Sequence, residues 1–315
     1  MRKIHVAGFG VLLVLVCSAF QETQIRVAVE AVNLFVTVTD KEGRFVTDVT
    51  KDRFIVYEDG VPQQITNFSS ETNVPLRIGL LIDTSSSVRL KLDFEQRAAI
   101  NFIRAVMQRN DQALLVEFDQ GVTLLHDFTN KPTAIIREIE KLRAGGGTAL
   151  RDAIFSVARD KMTDRDARKT LVIVSDGDDL NSRRSMEETL EIVQAAELTI
   201  YAIGTSRFGA SSNKKGERVL EQLANESGGR AFFPYSAELL NDAFELINQE
   251  LRSQYSLTYT PSNMVVLDGK FREIDVRITE GKDLRLRHRL GYRLPRKILT
   301  ISDEELNGGP GKNED

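Results

Sequence analysis

The chain has 315 residues, 41% of them hydrophobic and 28% charged, with a formal net charge of −4. That length admits one large or two medium domains, and the composition is that of a soluble globular protein. Nothing in the charge balance points to a nucleic-acid partner, because such a phosphate-binding surface normally carries a basic excess, and no nucleic acid is expected.

Arg2 and Lys3 open the chain, an apolar run follows from Ile4 to Val16, and Cys17, Ser18 and Ala19 place small side chains beyond it. This is the pattern of a cleaved secretory signal over residues 1–19, with the cut after Ala19. The run is too short for a membrane span of roughly 20 residues. Cys17 is the only cysteine, and Val16 before it is not the small residue that a lipoprotein signal wants. A cut after Ala19 leaves a mature chain with no thiol, hence no disulfide in an oxidising compartment, as suits a bacterial exported protein. The expected location is periplasmic or extracellular, with no stable membrane span after cleavage.

From Ile25 to Phe68 the pattern is strand-like. Leu34, Val36 and Val38 alternate with Phe35, Thr37 and Thr39, and Asp40 to Gly43 supplies a turn. Phe54 to Tyr57 is a second strand. Asp59-Gly60 predicts a hairpin, because both positions tolerate positive φ, with Gln63 to Phe68 as the return strand.

From Leu76 to Arg252 strands alternate with helices. The predicted strands are Leu76–Ile82, Ala113–Phe118, Val122–Phe128, Thr170–Ser175 and Leu198–Ile203. Phe94, Ala98, Phe102, Ala105 and Val106 share one helical face, as do Leu240, Ala243, Phe244, Ile247 and Leu251. Ser185 followed by Glu188 is a capping box, so a helix begins near Ser185. Such alternation predicts an open, doubly wound, mostly parallel sheet with helices on both faces.

The strand pattern returns from Tyr255 to Leu294. Tyr255, Leu257 and Tyr259 alternate with small polar residues, Asp268-Gly269 marks a turn, and further strands hold Ile274, Val276 and Ile278, then Leu284, Leu286 and His288. After Ile301 the composition predicts a disordered tail, with residues 296–315 as its bounds. Neither flanking segment has strands enough for a core of its own. Residues 22–72 and 253–295 are therefore expected to form one small discontinuous β-sandwich with the α/β block, residues 74–252, inserted in it. The competing arrangement is two separate small β modules.

The chemistry lies where strands end. In an open α/β sheet ligands bind at the carboxyl ends of the strands. Leu76–Ile82 runs into Asp83-Thr84-Ser85-Ser86-Ser87, which delivers a carboxylate and hydroxyls to that edge. These are hard oxygen ligands, the kind Mg²⁺ prefers, although Asp and Ser also serve simply as turn and cap residues. Gly145-Gly146-Gly147-Thr148 precedes a helical stretch; the glycines allow close backbone approach and Thr148 offers a hydroxyl. The loop lacks the Gly-Lys-Ser/Thr that a phosphate cradle needs, and otherwise reads as a flexible loop with a helix cap. Leu171–Ser175 ends in Asp176, the second acid of such a site. Asp178 and Asp179 do not continue into a calcium loop, because Leu180 stands where an oxygen ligand is required, and they are expected to be solvated.

The ordered set Asp83-x-Ser85-x-Ser87, Thr148 and Asp176 resembles the metal-ion-dependent adhesion site of von Willebrand factor type A domains and integrin inserted domains, over about Leu76 to Arg252. Phe54 to Gly60 and Gly291-Tyr292 resemble the flanking segments of bacterial exported type A-related proteins. The resemblance implies that Ser85, Ser87 and Thr148 touch a cation directly, Mg²⁺ or else Mn²⁺ or Ca²⁺. Asp83 and Asp176 would hold it directly or through water. One position would stay open to an Asp or Glu from a protein partner, which is binding chemistry and not catalysis.

Three other readings compete. A metal-dependent phosphotransferase or hydrolase on a similar sheet would place its second acid where Ser85 stands, and no lysine sits clearly on a phosphate-facing loop. A Ser-His-Asp hydrolase lacks Gly-x-Ser-x-Gly, and beyond the signal only His126, read as structural, and His288, read as lying on an exposed strand, remain. A structural module with a vestigial metal site is the third.

Overall fold

A computed structural model describes residues 31–70, 74–163, 167–207, 213–262, 270–279 and 283–293. The expected signal, the Asp268-Gly269 turn and the tail lie outside the described residues. β5 (Leu76–Asp83) and β8 (Arg168–Ser175) carry the apolar runs Ile78–Ile82 and Leu171–Val174, and they lie side by side at the centre of a six-stranded sheet of order β10-β9-β8-β5-β6-β7. β6 (Gln112–Phe118), β9 (Leu198–Gly204) and β10 (Arg230–Phe232) continue it in parallel, and only the edge strand β7 (Val122–Thr129) runs antiparallel. Strands buried on both faces need apolar residues at every position, which is why these runs do not alternate.

Helices cover both faces. α1 (Leu92–Val106), α2 (Pro132–Ile139) and α6 (Ala237–Arg252) pack on one side, where Phe102 and Phe244 stack with centroids 4.9 Å apart. α3 (Leu150–Asp160), α4 (Met186–Ala195) and α5 (Lys214–Glu226) pack on the other. The Ser185 capping box is fully formed, with Ser185 Oγ accepting from Glu188 N at 3.1 Å and Glu188 Oε2 accepting from Ser185 N at 2.8 Å. On α1 the buried face differs from expectation: Ala105 is exposed, and Ala99 and Ile103 take part instead.

The flanking segments build two four-stranded sheets. One has the order β13-β1-β11-β4 and the other β14-β12-β2-β3. β1 (Val32–Thr39), β4 (Ile65–Ser69), β2 (Phe54–Glu58) and β3 (Val61–Gln63) come from before the α/β block. β11 (Tyr255–Tyr259), β12 (Phe271–Ile278), β13 (Arg285–Arg287) and β14 (Gly291–Arg293) come from after it. β1 has β11 and β13 as its neighbouring strands, and β2 pairs with β12, so each sheet mixes both segments. The block departs after β4 and returns at β11, which are paired strands with Ser69 opposite Ser256, so its two ends meet in one ladder.

The hairpin is tighter than predicted. Asp59 (φ 49°) and Gly60 (φ 78°) form the turn, but the return strand is β3, Val61–Gln63. After Gln63 the chain crosses to the other sheet as β4. Pro62 offers no amide, which suits the edge position β3 occupies. β13 is also shorter than expected, and His288 lies beyond it, half-buried, with Nε2 accepting from Val276 N at 3.3 Å and Nδ1 2.8 Å from the Arg289 carbonyl. Across the sandwich core the hydroxyls of Tyr259 and Tyr292 donate to Glu58 Oε2 at 2.7 and 3.0 Å.

The second face of β1 meets the α/β block. The guanidinium of Arg168, buried at the start of β8, lies 5.6 Å over the Phe35 ring, and burial lowers its pKa to about 10. Glu250 of α6 is fully buried, and its Oε1 accepts from Thr37 Oγ1 (3.1 Å), Tyr201 OH (3.0 Å) and Arg287 Nη1 (2.5 Å).

Candidate metal centre

Parallel register places Asp83 beside Ser175, and Asp176 follows at the same sheet edge. Asp83 is fully buried; its Oδ1 accepts from Ser85 N at 2.9 Å and its Oδ2 from Ser175 Oγ at 2.6 Å. The first bond turns the chain so that a short 3-10 turn, Ser86–Val88, can follow. Ser85 Oγ lies 2.9 Å from Ser87 Oγ, and Ser87 Oγ donates to Asp176 Oδ2 at 2.7 Å. Four of the expected residues, Asp83, Ser85, Ser87 and Asp176, are thus joined in one local network.

Thr148 is held at the same edge through the backbone. Gly145 N donates to Thr84 O (2.7 Å), and Ser86 N and Oγ donate to Gly146 O (3.2 and 3.1 Å). Thr148 N donates to Asn181 Oδ1 at 2.9 Å, while the amides of Leu180 and Asn181 donate to Thr148 O at 3.1 and 2.9 Å. A Cβ at Gly147 would stand 2.1 Å from Asn181 Oδ1, so glycine is what lets this side chain reach the loop. The Thr148 hydroxyl itself has no partner among the described residues.

Three features stand outside the sequence expectations. Asn181 is the clamp just described. Asp179 is not a solvated loop residue: its Oδ2 accepts from Arg151 N (3.0 Å) and Nε (2.8 Å) and its Oδ1 from Ser182 N (3.1 Å), fixing the loop to the start of α3. Asp178 Oδ1 likewise accepts from Asn213 Nδ2 at 2.6 Å. The third is Glu95 on α1, 1% exposed, with neither carboxyl oxygen in a well-formed hydrogen bond among the described residues. Glu95 stands on the buried face of α1, three residues after Leu92 and seven before Phe102, an acid where the helical period calls for an apolar residue.

The electrostatics are strained towards the negative. Burial, opposed by the Ser175 and Ser85 bonds and reinforced by the charge of Asp176, pushes the Asp83 carboxyl up to about 6. Burial and then the charge of Asp83 push Glu95 up to about 8. Among the described residues no three His, Cys, Asp or Glu side chains cluster as a metal site. The donor set of carboxylates and hydroxyls fits a hard divalent cation, and its positive charge would offset the concentrated acids.

The von Willebrand factor type A domain model matches residues 78–246, more than half of the chain. Mouse integrin alpha-X is 25% identical over 202 residues, covering 59% of this chain but only 16% of that protein. Among solved structures, the vWF domain of the type V pilus tip protein Mfa5 from Porphyromonas gingivalis is 14% identical with a TM-score of 0.49, covering 56% of this chain and 95% of that one. Proximal thread matrix protein 1 from the mussel byssus, in a form with a zinc-occupied MIDAS motif, is 21% identical with a TM-score of 0.48, covering 57% and 49%. The chain belongs to the von Willebrand factor type A domain family.

Proposed function

We propose that Asp83, Ser85, Ser87, Thr148 and Asp176 hold one divalent cation, Mg²⁺ or, with the same donors, Mn²⁺ or Ca²⁺, which completes its coordination with an Asp or Glu of a protein partner. Domains of this family bind a divalent cation and use it to bind protein ligands. The observation that carries the reading is the network Ser85–Ser87–Asp176 beside buried Asp83, with Thr148 clamped to the same edge. When bound, the ion supplies positive charge and an open coordination position. The chain's own residues do the rest: the carboxylates offset the charge, the hydroxyls add donors without adding charge, and Asn181 and Asp179 keep the loops rigid.

The same reading makes the chain an exported protein, periplasmic or extracellular, and a binding module and not an enzyme. Its organisation is an α/β block over residues 74–252 inserted in one discontinuous sandwich of residues 22–72 and 253–295. Among the described residues no helix is long and apolar enough to cross a membrane. Neither histidine pairs with a serine among the described residues: His126 Nδ1 meets the Asp127 carbonyl at 2.6 Å, and His288 bonds backbone on both sides. Calorimetry with Mg²⁺ and Mn²⁺ tests the site. Wild type should bind one ion, and Asp83→Ala and Thr148→Ala should weaken or lose it while keeping native circular dichroism. Equal binding by all three proteins rejects the site.

A further inference from the structure

Away from the metal-site loops, an open cleft of about 470 Å³ lies where an edge of the α/β sheet faces an edge of the sandwich. That volume falls within the ~300–1,000 Å³ of ligand clefts. Its walls carry Arg230, Arg285 and Arg287, with Thr39, Asn225 and His288. Arg230 is the first residue of edge strand β10. Arg285 and Arg287 are two apart on edge strand β13 and so share one face of it.

The charges do not balance. Arg287 is paired with Glu250. Arg230 rests on the ring of its own neighbour Phe232 at 4.8 Å, and neither Arg230 nor Arg285 forms a salt bridge among the described residues. His288 is held between two backbone groups and its pKa is lowered by burial, so it is neutral and adds no charge. Burial and the neighbouring Arg287 also lower the pKa of Arg230, as expected for guanidinium groups crowded together, and the charge of Glu250 offsets this only in part.

The cleft is built in advance of any ligand. Gly228 (φ +82°), in the turn before β10, packs so closely that a Cβ there would stand 2.4 Å from Arg289 N and 2.6 Å from the His288 carbonyl carbon. This backbone contact fixes the spacing between the two walls. We propose that the cleft binds a small polyanion with two or more phosphate, sulfate or carboxylate groups, held by Arg230 from the α/β block and Arg285 from the sandwich. Guanidinium groups suit such oxyanions because their planar forks donate paired hydrogen bonds.

The test uses the full chain stripped of metal and dialysed into chelator-free, metal-free buffer, so that it is independent of the metal site and of the chelator, itself a polycarboxylate. Pyrophosphate, citrate and sulfate are titrated by calorimetry at constant ionic strength. Wild type should bind pyrophosphate or citrate saturably, and the stronger of the two identifies phosphate or carboxylate chemistry. The double variant Arg230→Gln, Arg285→Gln should lose about tenfold or more in affinity, the size of one lost charge-assisted hydrogen bond. Arg159→Gln, on the surface of α3, should bind as wild type does. The proposal is overturned if no titrant binds saturably, or if the double variant binds as tightly as wild type with its circular dichroism unchanged.

Discussion

Replacing Asp83 by Asn should stabilise the metal-free protein at neutral pH while abolishing its response to Mg²⁺. Asp83 is fully buried, and burial raises its carboxyl from 3.8 to about 6. A group whose folded pKa is raised favours the folded state most below its unfolded value. That contribution is lost as pH rises through about 4 to about 6. At about 1.4 kcal/mol per unit, the full difference above pH 6 is about 3 kcal/mol. Asn keeps an oxygen for Ser85 N and can donate to Ser175 Oγ, so both local bonds have replacements. The assay is thermal unfolding in EDTA at pH 4 and pH 7. The two proteins should melt together at pH 4, and Asp83→Asn should melt higher at pH 7, by up to roughly 6–12 °C for a domain of this size. Adding Mg²⁺ at 100 times its dissociation constant should stabilise wild type by about 2.7 kcal/mol and leave the variant unchanged. A difference between the proteins that does not change with pH would show that the charge on Asp83 is not what burial penalises.

Asn181→Ala should weaken Mg²⁺ binding by about 10- to 100-fold in calorimetry, because the Thr148 loop loses the side chain that positions it. Glu250→Ala leaves Arg287 without its carboxylate at the junction of block and sandwich, and should cost about 3–5 kcal/mol in denaturant unfolding. Glu95→Gln removes a buried acid raised from 4.5 to about 8, so its gain in stability over wild type should appear between pH 5 and pH 9 and grow with pH in urea melts. A fragment of residues 22–72 should show no cooperative melt, since the strands beside β1 are β11 and β13, whereas residues 74–252 should fold and bind the ion.

Local chemistry is what the sequence makes legible. β5 and β8 carry the unbroken apolar runs Ile78–Ile82 and Leu171–Val174, and such runs without alternation are what strands buried on both faces read like. The acids that end them therefore fall at one edge, so four of the expected site residues can be placed from the chain's pattern alone. The Ser185 capping box and the Asp59-Gly60 turn are similarly self-contained. Less is visible where tertiary contacts decide. α5 hides its apolar stripe of Leu220, Leu223 and Ala224 in a highly charged segment, and β10 is only three residues long. The strand expected from Gln63 to Phe68 divides between two sheets, Gln63 ending β3 at the edge of one and Ile65 opening β4 at the edge of the other. Glu58 and Tyr292, which carry the likeness in the flanking segments, are hydrogen-bonded to each other across the core. Asn181 lies on a different loop from Thr148, which it clamps, and no spacing rule reaches it, whereas the helical period does place Glu95 on the buried face of α1 and only its charge is unexpected there.

Whether five named residues hold one divalent cation is settled by crystals of the full chain grown with Mn²⁺ and measured at the manganese absorption edge. One strong anomalous peak is expected within bonding reach of Ser85, Ser87 and Thr148, beside Asp83 and Asp176. A map with no peak there, or with its only peak elsewhere on the molecule, would contradict the assignment.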